Sequence, residues 1–222
     1  MTNDTTGKSR TSWVGSALDH SVIRKVKARL AGTSTPAPTH IDDIELMPMS
    51  REFMSWWLEA RGDQPMPASD QINHRALVEL LPYFRMLRWE EDDRLVFRIL
   101  GSALVEAIGV DLTGTCTFGD ADYPGKAEDK ARLKLMHSHP CGLLMWRDLQ
   151  GSNGAPYRCE LINLPLSAGE DGGNRIVGTV VTRNIVPEHE VDFRLSPPLT
   201  LRRAVFIDIG FGLPDAAAAL TV

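Results

Sequence analysis

Residues 95–114, LVFRILGSALVEAIGVDLTG, constrain the fold of this chain more than any other stretch. Charged and apolar residues first alternate, as they do in a strand that buries one face. Ser102 can then cap a short apolar helix, which Gly109 ends because glycine readily adopts the left-handed conformation of a helix terminus. A strand, a short helix and a sharp turn in direct succession predict a sheet with small helices arched over it.

The residues around this stretch predict the remaining strands. YFRMLRWEEDDRLVFRIL indicates two strands around an acidic turn at 90–93, with Leu95, Phe97 and Ile99 on the buried face of the second. CGLLMWRDL, YRCELINLPL and RIVGTVVTRNI indicate three more, joined by loops rich in hairpin residues. Short loops between these strands predict a meander of antiparallel neighbours.

Helical spacing predicts three further helices. SREFMSWWLEARG places Ser50 as the N-cap and Gly62 as the C-terminal cap of the first. NHRALVELLP predicts a short second helix that starts at Asn73 and ends before Pro82. PGKAEDKARLKLMH predicts the third, with acidic residues in its first turn and basic residues in its last. The fold class is therefore α+β, a five-stranded antiparallel sheet with short helices over one face and an N-terminal helical extension.

The segments at the two ends are set apart from this core. We expect residues 1–48 to form a flexible segment that contains a basic amphipathic stretch at 20–30 and a linker at 33–39. The sensory domain with its N-terminal helix then covers 49–186, and 187–222 form a C-terminal extension. In that extension the apolar residues at 204–209 predict one more strand, which either packs back on the domain or pairs with another chain through an open edge.

Several motifs together resemble a known family. WWLEARGDQPMPASDQINHRALVELLPYF, LVFRILGSALVEAIGVDLTG and ELINLPL resemble a bacterial PAS subfamily common in alphaproteobacteria, over roughly residues 53–186. The resemblance implies a sensory and interaction module, and some members of that class hold haem, flavin or small organic ligands. The short flavin-binding motif of the light sensors is not found around Cys116, so flavin is not expected. The sequence identifies no cofactor.

A cavity between helices and sheet is where such a module would bind a ligand. A symmetrical loop between the third and fourth strands would set Trp146 opposite Cys159 and turn Glu160 outward, and the next hairpin would set Leu161 near Val180 and Cys159 near Thr182. The same side chains equally suit a solid core. The candidate pocket residues are Phe97, Ile99, Leu104, Ile108, Leu144, Trp146, Cys159, Leu161 and Val180.

Two other groups of residues are candidates for binding. Phe53, Trp56 and Trp57 form an apolar stripe that covers the domain's own core or lines a homodimer interface. His137 and His139, in HSHPC beside Cys141, are candidate ligands for haem or a metal ion, or they cap carbonyls at the end of their helix. No four-ligand zinc set is apparent, so no metal site is assigned.

The motifs of the common enzyme classes are missing. The sequence contains no Gly-x-Ser-x-Gly elbow, no phosphate-binding loop and no dinucleotide fingerprint. A small hydrolase built on Ser138 or Cys141 is the remaining enzymatic alternative. We therefore expect a non-catalytic sensory module that lacks an output domain, acts in trans on a signalling partner, forms a homodimer and responds to a small organic ligand.

Composition narrows the possible partners and location. With 43% hydrophobic and 24% charged residues among 222, the chain has the make-up of a folded domain. Its net charge of -5 disfavours nucleic acid as a partner. The N-terminus lacks a secretory signal, no apolar run approaches the ~20 residues of a membrane span, and three cysteines suit a reducing compartment. We expect a cytoplasmic protein.

Overall fold

The computed structural model describes residues 44–70, 72–119, 122–150, 156–169, 172–184 and 196–222. The predicted basic stretch at 20–30 and the linker at 33–39 lie outside these residues, as does the 151–155 loop of one predicted hairpin.

Within the described residues, six strands form one antiparallel sheet in the order β2-β1-β5-β4-β3-β6. The predicted α+β class is confirmed, although the sheet has six strands and not five. The additional strand belongs to the C-terminal segment, which packs back on the domain by pairing along β3. The strands are β1 Phe84–Glu90, β2 Arg94–Leu100, β3 Gly142–Gln150, β4 Pro156–Leu166, β5 Arg175–Asn184 and β6 Ser196–Ile207.

Four α-helices occur in the described part of the chain: α1 Pro48–Arg61, α2 Ser102–Ile108, α3 Lys126–Ser138 and α4 Ala217–Leu220. Helix α1 begins two residues before the predicted cap Ser50, because Pro48 suits the first turn, where no intrahelical bond needs its missing N–H. Helix α2 ends at Gly109, whose φ of 77° is the predicted left-handed conformation. Its N-cap is Gly101, however, and Ser102 is the first helical residue.

The predicted helix from Asn73 to Pro82 is wrong. Two short 3₁₀ turns replace it, His74–Leu77 and Leu81–Tyr83. The side chain of Asn73 does cap the first turn, by accepting from the Arg75 N–H at 3.1 Å. Pro82 lies inside the second turn, so no α-helix continues through it.

Helices cover both faces of the sheet, which we call the α1 face and the α3 face after the helix that packs there. Each face carries its own apolar core, so the buried side chains of one strand alternate between the two cores. The α1-face core includes Phe53, Trp57, Leu77, Phe84, Leu144, Ile162 and Leu164. The α3-face core includes Leu87, Leu95, Leu133, Met136, Leu143, Cys159, Leu161 and Phe206.

An irregularity in β2 corrects the predicted burial of that strand. Met86 pairs with Ile99, whereas the next residue of β1, Leu87, pairs with Phe97, so Arg98 is an extra residue on β2. Because a bulge shifts the alternation by one residue, Phe97 packs on the α3 face and Ile99 on the α1 face. The prediction of one shared buried face is wrong for Ile99.

The register of the β3–β4 hairpin also differs from the prediction. Trp146 pairs with Glu160, and Cys159 pairs with Arg147, one residue away from the symmetrical arrangement. The slip of one residue places Trp146 and Cys159 on opposite faces of the sheet. Glu160 is buried and not turned outward, because the α1 face is covered too and Met47 and Trp146 pack against it. In the β4–β5 hairpin the predicted pairs are confirmed: Leu161 with Val180, and Cys159 with Thr182.

Both outer edges of the sheet are partly covered by other segments. Along β2, the Phe97 N–H donates to the Thr115 carbonyl at 3.0 Å, and the Gly114 N–H donates to the Phe97 carbonyl at 2.8 Å. Along β6, Ala204 and Val222 exchange two backbone hydrogen bonds of 3.0 Å. Covered edges offer fewer unpaired backbone groups to another strand.

Candidate functional site beneath helix α3

The structure divides the candidate pocket residues between the two faces. Phe97, Cys159, Leu161 and Val180 belong to the α3-face core, whereas Ile99, Leu144 and Trp146 belong to the α1-face core. Leu104 is buried and Ile108 is half-buried on helix α2, which contacts the second 3₁₀ turn. The nine residues therefore do not line one cavity, because the bulge in β2 and the register of β3–β4 each move part of the set to the opposite face.

A buried charged cluster lies on the α3 face. Asp129, in the first turn of α3, is 3% exposed and accepts from Arg132 Nη1 at 2.7 Å. The second carboxylate oxygen of Asp129 accepts from Arg147 of β3 and from the Tyr123 hydroxyl. Arg132 also donates through Nε to the carbonyl of Leu220 in α4, at 2.7 Å. The cluster thus connects strand β3, helix α3 and the C-terminal segment.

Arg85 lies on the same face, in β1, and is 7% exposed. Its Nη2 donates to Oδ1 of Asn163 at 2.5 Å, and Asn163 is held by donating to the Leu143 carbonyl at 3.1 Å. Nε of Arg85 is buried and has no hydrogen-bond partner. Among the described residues, no carboxylate pairs with this guanidinium, so a cation is buried against a neutral amide.

Gly178 of β5 allows β4 to lie close to β5 beside this contact. Arg85 pairs with Gly178 of β5, and Asn163 lies on β4, the strand beyond it. A Cβ atom at Gly178 would lie 1.8 Å from the Ile162 carbonyl oxygen, which is an impossible contact. The bare backbone at this position lets β4 approach β5 closely beneath the Arg85 side chain.

Burial and the positive charges of neighbouring arginines shift the pKa values of side chains on this face. Burial lowers the pKa of Arg85 to about 10, and the positive charge of Arg147 lowers it further. Burial raises the pKa of the Cys159 thiol to about 12, although the nearby charges of Arg85 and Arg147 act in the opposite direction. The thiol is therefore neutral near pH 7, and the interior presents guanidinium groups that favour an anion.

The family model of the PAS domain matches residues 46–181 of this chain. The matched segment contains α1, β1–β4, α2, α3 and most of β5, together with Arg85, Asp129 and Asn163. The chain belongs to the PAS domain family. A search of the curated proteins finds no match. Three buried arginines of this PAS domain, Arg85, Arg132 and Arg147, lie on the α3 face, together with Asp129 and Asn163.

The histidines considered for haem or metal binding contact two different segments of this PAS domain. His137 Nε2 lies 2.8 Å from the Arg175 carbonyl, and His139 Nε2 lies 3.0 Å from the Phe211 carbonyl. Burial lowers the pKa of His137. Within the part of the chain that the structure describes, no group of three His, Cys, Asp or Glu side chains is placed to hold a metal ion.

The proposed nucleophiles of a hydrolase are poorly placed for chemistry. Ser138 is exposed, and its hydroxyl donates to the Leu135 carbonyl at 2.9 Å, within its own helix. Cys141 is fully buried, and burial raises the pKa of its thiol to about 12. A protonated thiol is a weak nucleophile at neutral pH.

A groove of about 530 Å³ lies on the other side of the sheet, at the end of β3, β4 and β6. Three of its charged side chains already have partners. Glu160 accepts from the Met47 N–H and from Trp146 Nε1, at 3.0 and 3.1 Å, and Arg158 and Arg202 both pair with Asp148. The α3 face is therefore the better candidate site, since Arg85 is buried there with an unused donor. The groove is lined by Ile44, Glu45, Leu46, Met47, Pro48, Trp146, Arg158, Glu160, Arg202 and Arg203.

The three aromatic residues that were considered for a dimer interface differ in their exposure. Phe53 and Trp57 have no exposed surface, and the indole N–H of Trp57 donates to the Pro165 carbonyl at 3.1 Å. Trp56 is half-buried, with its ring 5.4 Å from that of Phe53. Only Trp56 of the three has side-chain surface to offer to a second copy.

Arg85, Asn163, Asp129 and Arg147 were not predicted as site residues. For Arg85, Asn163 and Arg147 the available signal was a charged or amide residue inside an apolar strand, as in YFRML, ELINLPL and LLMWRDL. Asp129 lies in the first turn of α3, where an acidic residue is expected for the helix dipole alone. Burying such a group costs free energy unless it is paired, so its presence in a central strand marks a site.

Proposed function

We propose that this chain is a non-catalytic regulatory module that acts in trans through protein–protein contacts, gated by a small molecule bound beneath α3. PAS domains commonly mediate sensing, protein interactions and dimerisation, and this chain belongs to that family. We also propose that the chain belongs to the bacterial subfamily that its motifs resemble, and that it is located in the cytoplasm. The second is supported by three free, buried thiols, which suit a reducing compartment.

The observation that carries the proposal is the path of charged contacts from the interior to the C-terminal segment. Arg147 of β3 pairs with Asp129, Asp129 pairs with Arg132, and Arg132 holds the Leu220 carbonyl. A ligand that competes for one of these groups changes the hold of α3 on α4. The C-terminal segment and the surface around it then report the state of the interior to a partner.

Of the helices in the described part of the chain, none combines the length and apolar character that are needed to cross a membrane.

The partner that we propose is another protein. A second copy of the chain is a further proposed partner, with Trp56 as the contact residue. Trp56→Glu is expected to shift self-association, measured by sedimentation, at least tenfold toward the monomer while the circular dichroism spectrum stays native.

Native mass spectrometry of the gently purified chain tests the gating proposal. We expect an additional mass that is lost after unfolding and refolding, together with faster amide hydrogen exchange at 217–222 in the refolded protein. A bare mass before and after refolding, with unchanged exchange at those residues, would contradict the proposal.

A further inference from the structure

Arg85 is the one arginine on the α3 face whose side chain leaves a buried nitrogen without an acceptor, among the residues that the structure describes. We propose that Arg85 binds the carboxylate group of a small ligand with an apolar body, held between α3 and the sheet. This inference rests on the proposed function, because it names the ligand class of the same interior site.

The first argument is the imbalance of charge. A guanidinium withdrawn from water is stabilised when a carboxylate replaces the lost hydration. Arg132 and Arg147 both have Asp129 for this purpose, whereas Arg85 has only the neutral amide of Asn163. Arg147 lies near enough for its charge to disfavour the cation at Arg85. A bound anion offsets the repulsion between the two guanidinium groups.

The second argument is the geometry of the donor. Asn163 accepts from one terminal nitrogen of Arg85 and is itself fixed by the carbonyls of Leu143 and Leu161, at 3.1 and 3.4 Å. The guanidinium is therefore oriented before any ligand arrives, and its Nε–H remains available. A carboxylate accepts two parallel N–H groups of a guanidinium, which selects it over a neutral carbonyl group.

The third argument is the surroundings of the guanidinium. Beside the charged cluster, this face carries an apolar core that includes the partly buried Phe97 and Val180. The ligand is therefore a monocarboxylate with a hydrocarbon part and not a sugar phosphate or a nucleotide. The other neighbours on this face are Leu87, Met145, Cys159 and Leu161.

Calorimetric titration with straight-chain carboxylates from acetate to octanoate, each beside its primary amide, tests the inference. At least one carboxylate is expected to bind the full chain, and its amide to bind at least tenfold more weakly. Arg85→Met is expected to weaken that carboxylate roughly 30-fold, as expected from the loss of a charge-assisted hydrogen bond. Arg85→Lys keeps the charge and is expected to retain part of the affinity.

A second pair of variants is independent of Arg85. Cys159 lies within the electrostatic reach of both Arg85 and Arg147, so Cys159→Asp places an internal anion beside them. This variant is expected to lose carboxylate binding at least tenfold, whereas the neutral control Cys159→Ser retains it. Circular dichroism establishes that each variant is folded.

The results that overturn the inference are distinct from those that overturn the proposed function. Failure of every carboxylate to bind, equal binding of the amides, or unchanged binding by folded Arg85→Met and Cys159→Asp would each reject it. A neutral molecule found by native mass spectrometry would reject the carboxylate class and leave the ligand-gated module standing. A bare chain whose exchange at 217–222 does not respond would reject the module itself.

Discussion

Replacement of Asp129 by asparagine is the perturbation that most clearly tests the buried cluster. Asp129→Asn keeps the size and shape of the side chain and removes its charge. The carboxylate is 3% exposed, and Arg132 and Arg147, which it pairs with, are 3% and 8% exposed. The substitution therefore leaves two buried cations without the anion that compensates them.

The expected loss follows from the cost of an uncompensated buried charge. Removing one partner of a buried ion pair typically destabilises a protein by about 3–5 kcal/mol. For a chain of this size each kcal/mol corresponds to roughly 2–4 °C, so the melting temperature should fall by about 6–20 °C. The change is larger than that expected from the loss of one neutral hydrogen bond, about 0.5–1.5 kcal/mol.

Urea denaturation at pH 7, followed by circular dichroism, measures this difference. Asp148→Asn is the matched control, because Asp148 also pairs with two arginines, Arg158 and Arg202, whose side chains are 35% and 59% exposed. Solvent screens such pairs, so the control should lose no more than about 1 kcal/mol. If the two variants lose the same free energy of unfolding, the argument that burial makes the Asp129 cluster important is refuted.

Two further predictions concern a close backbone contact and a buried histidine. Gly101→Ala should destabilise the chain by about 3 kcal/mol or more in urea denaturation, because its Cβ would lie 2.3 Å from the carbonyl oxygens of Leu81 and Pro82. Gly109→Ala, which meets no atom within 4 Å and only strains φ, should cost about 1–2 kcal/mol, and equal losses would contradict the contact argument. Because burial lowers the pKa of His137, the unfolded chain binds the proton more readily, and stability should fall as the pH drops from about 6.5 through the lower folded pKa. His137→Gln should flatten that slope between pH 7.5 and 5, and an unchanged slope would show that another group is responsible.

The sequence predicted the elements of this fold better than their relative positions. Strand and helix signals such as alternation and a terminal glycine are local, so β1, β2, α3 and the end of α2 were found correctly. The start of α1 was misplaced because Ser50 and Pro48 are both good first-turn residues, and the proline prevailed. The helix predicted from Asn73 was wrong although it was ended before Pro82, because apolar spacing over so few residues does not distinguish a short α-helix from 3₁₀ turns.

The candidate site was predicted less well, for a physical reason. A pocket on one face requires every strand to keep its register, and a single extra residue at Arg98 moved Ile99 to the opposite core. A one-residue shift in the β3–β4 hairpin separated Trp146 from Cys159 in the same way. Local patterns do not encode these shifts, because they arise from the pairing of distant strands.

The most direct test of the site beneath α3 is the ¹⁵N–¹H resonance of Arg85 Nε. In the free chain this group has no acceptor, so its signal should move downfield when the tightest-binding carboxylate of the series is added and stay in place with the matching amide. Arg85→Lys identifies the signal by its disappearance. A resonance that does not move at saturating carboxylate would contradict the account, because the ligand would then be bound without using the free Nε–H of Arg85.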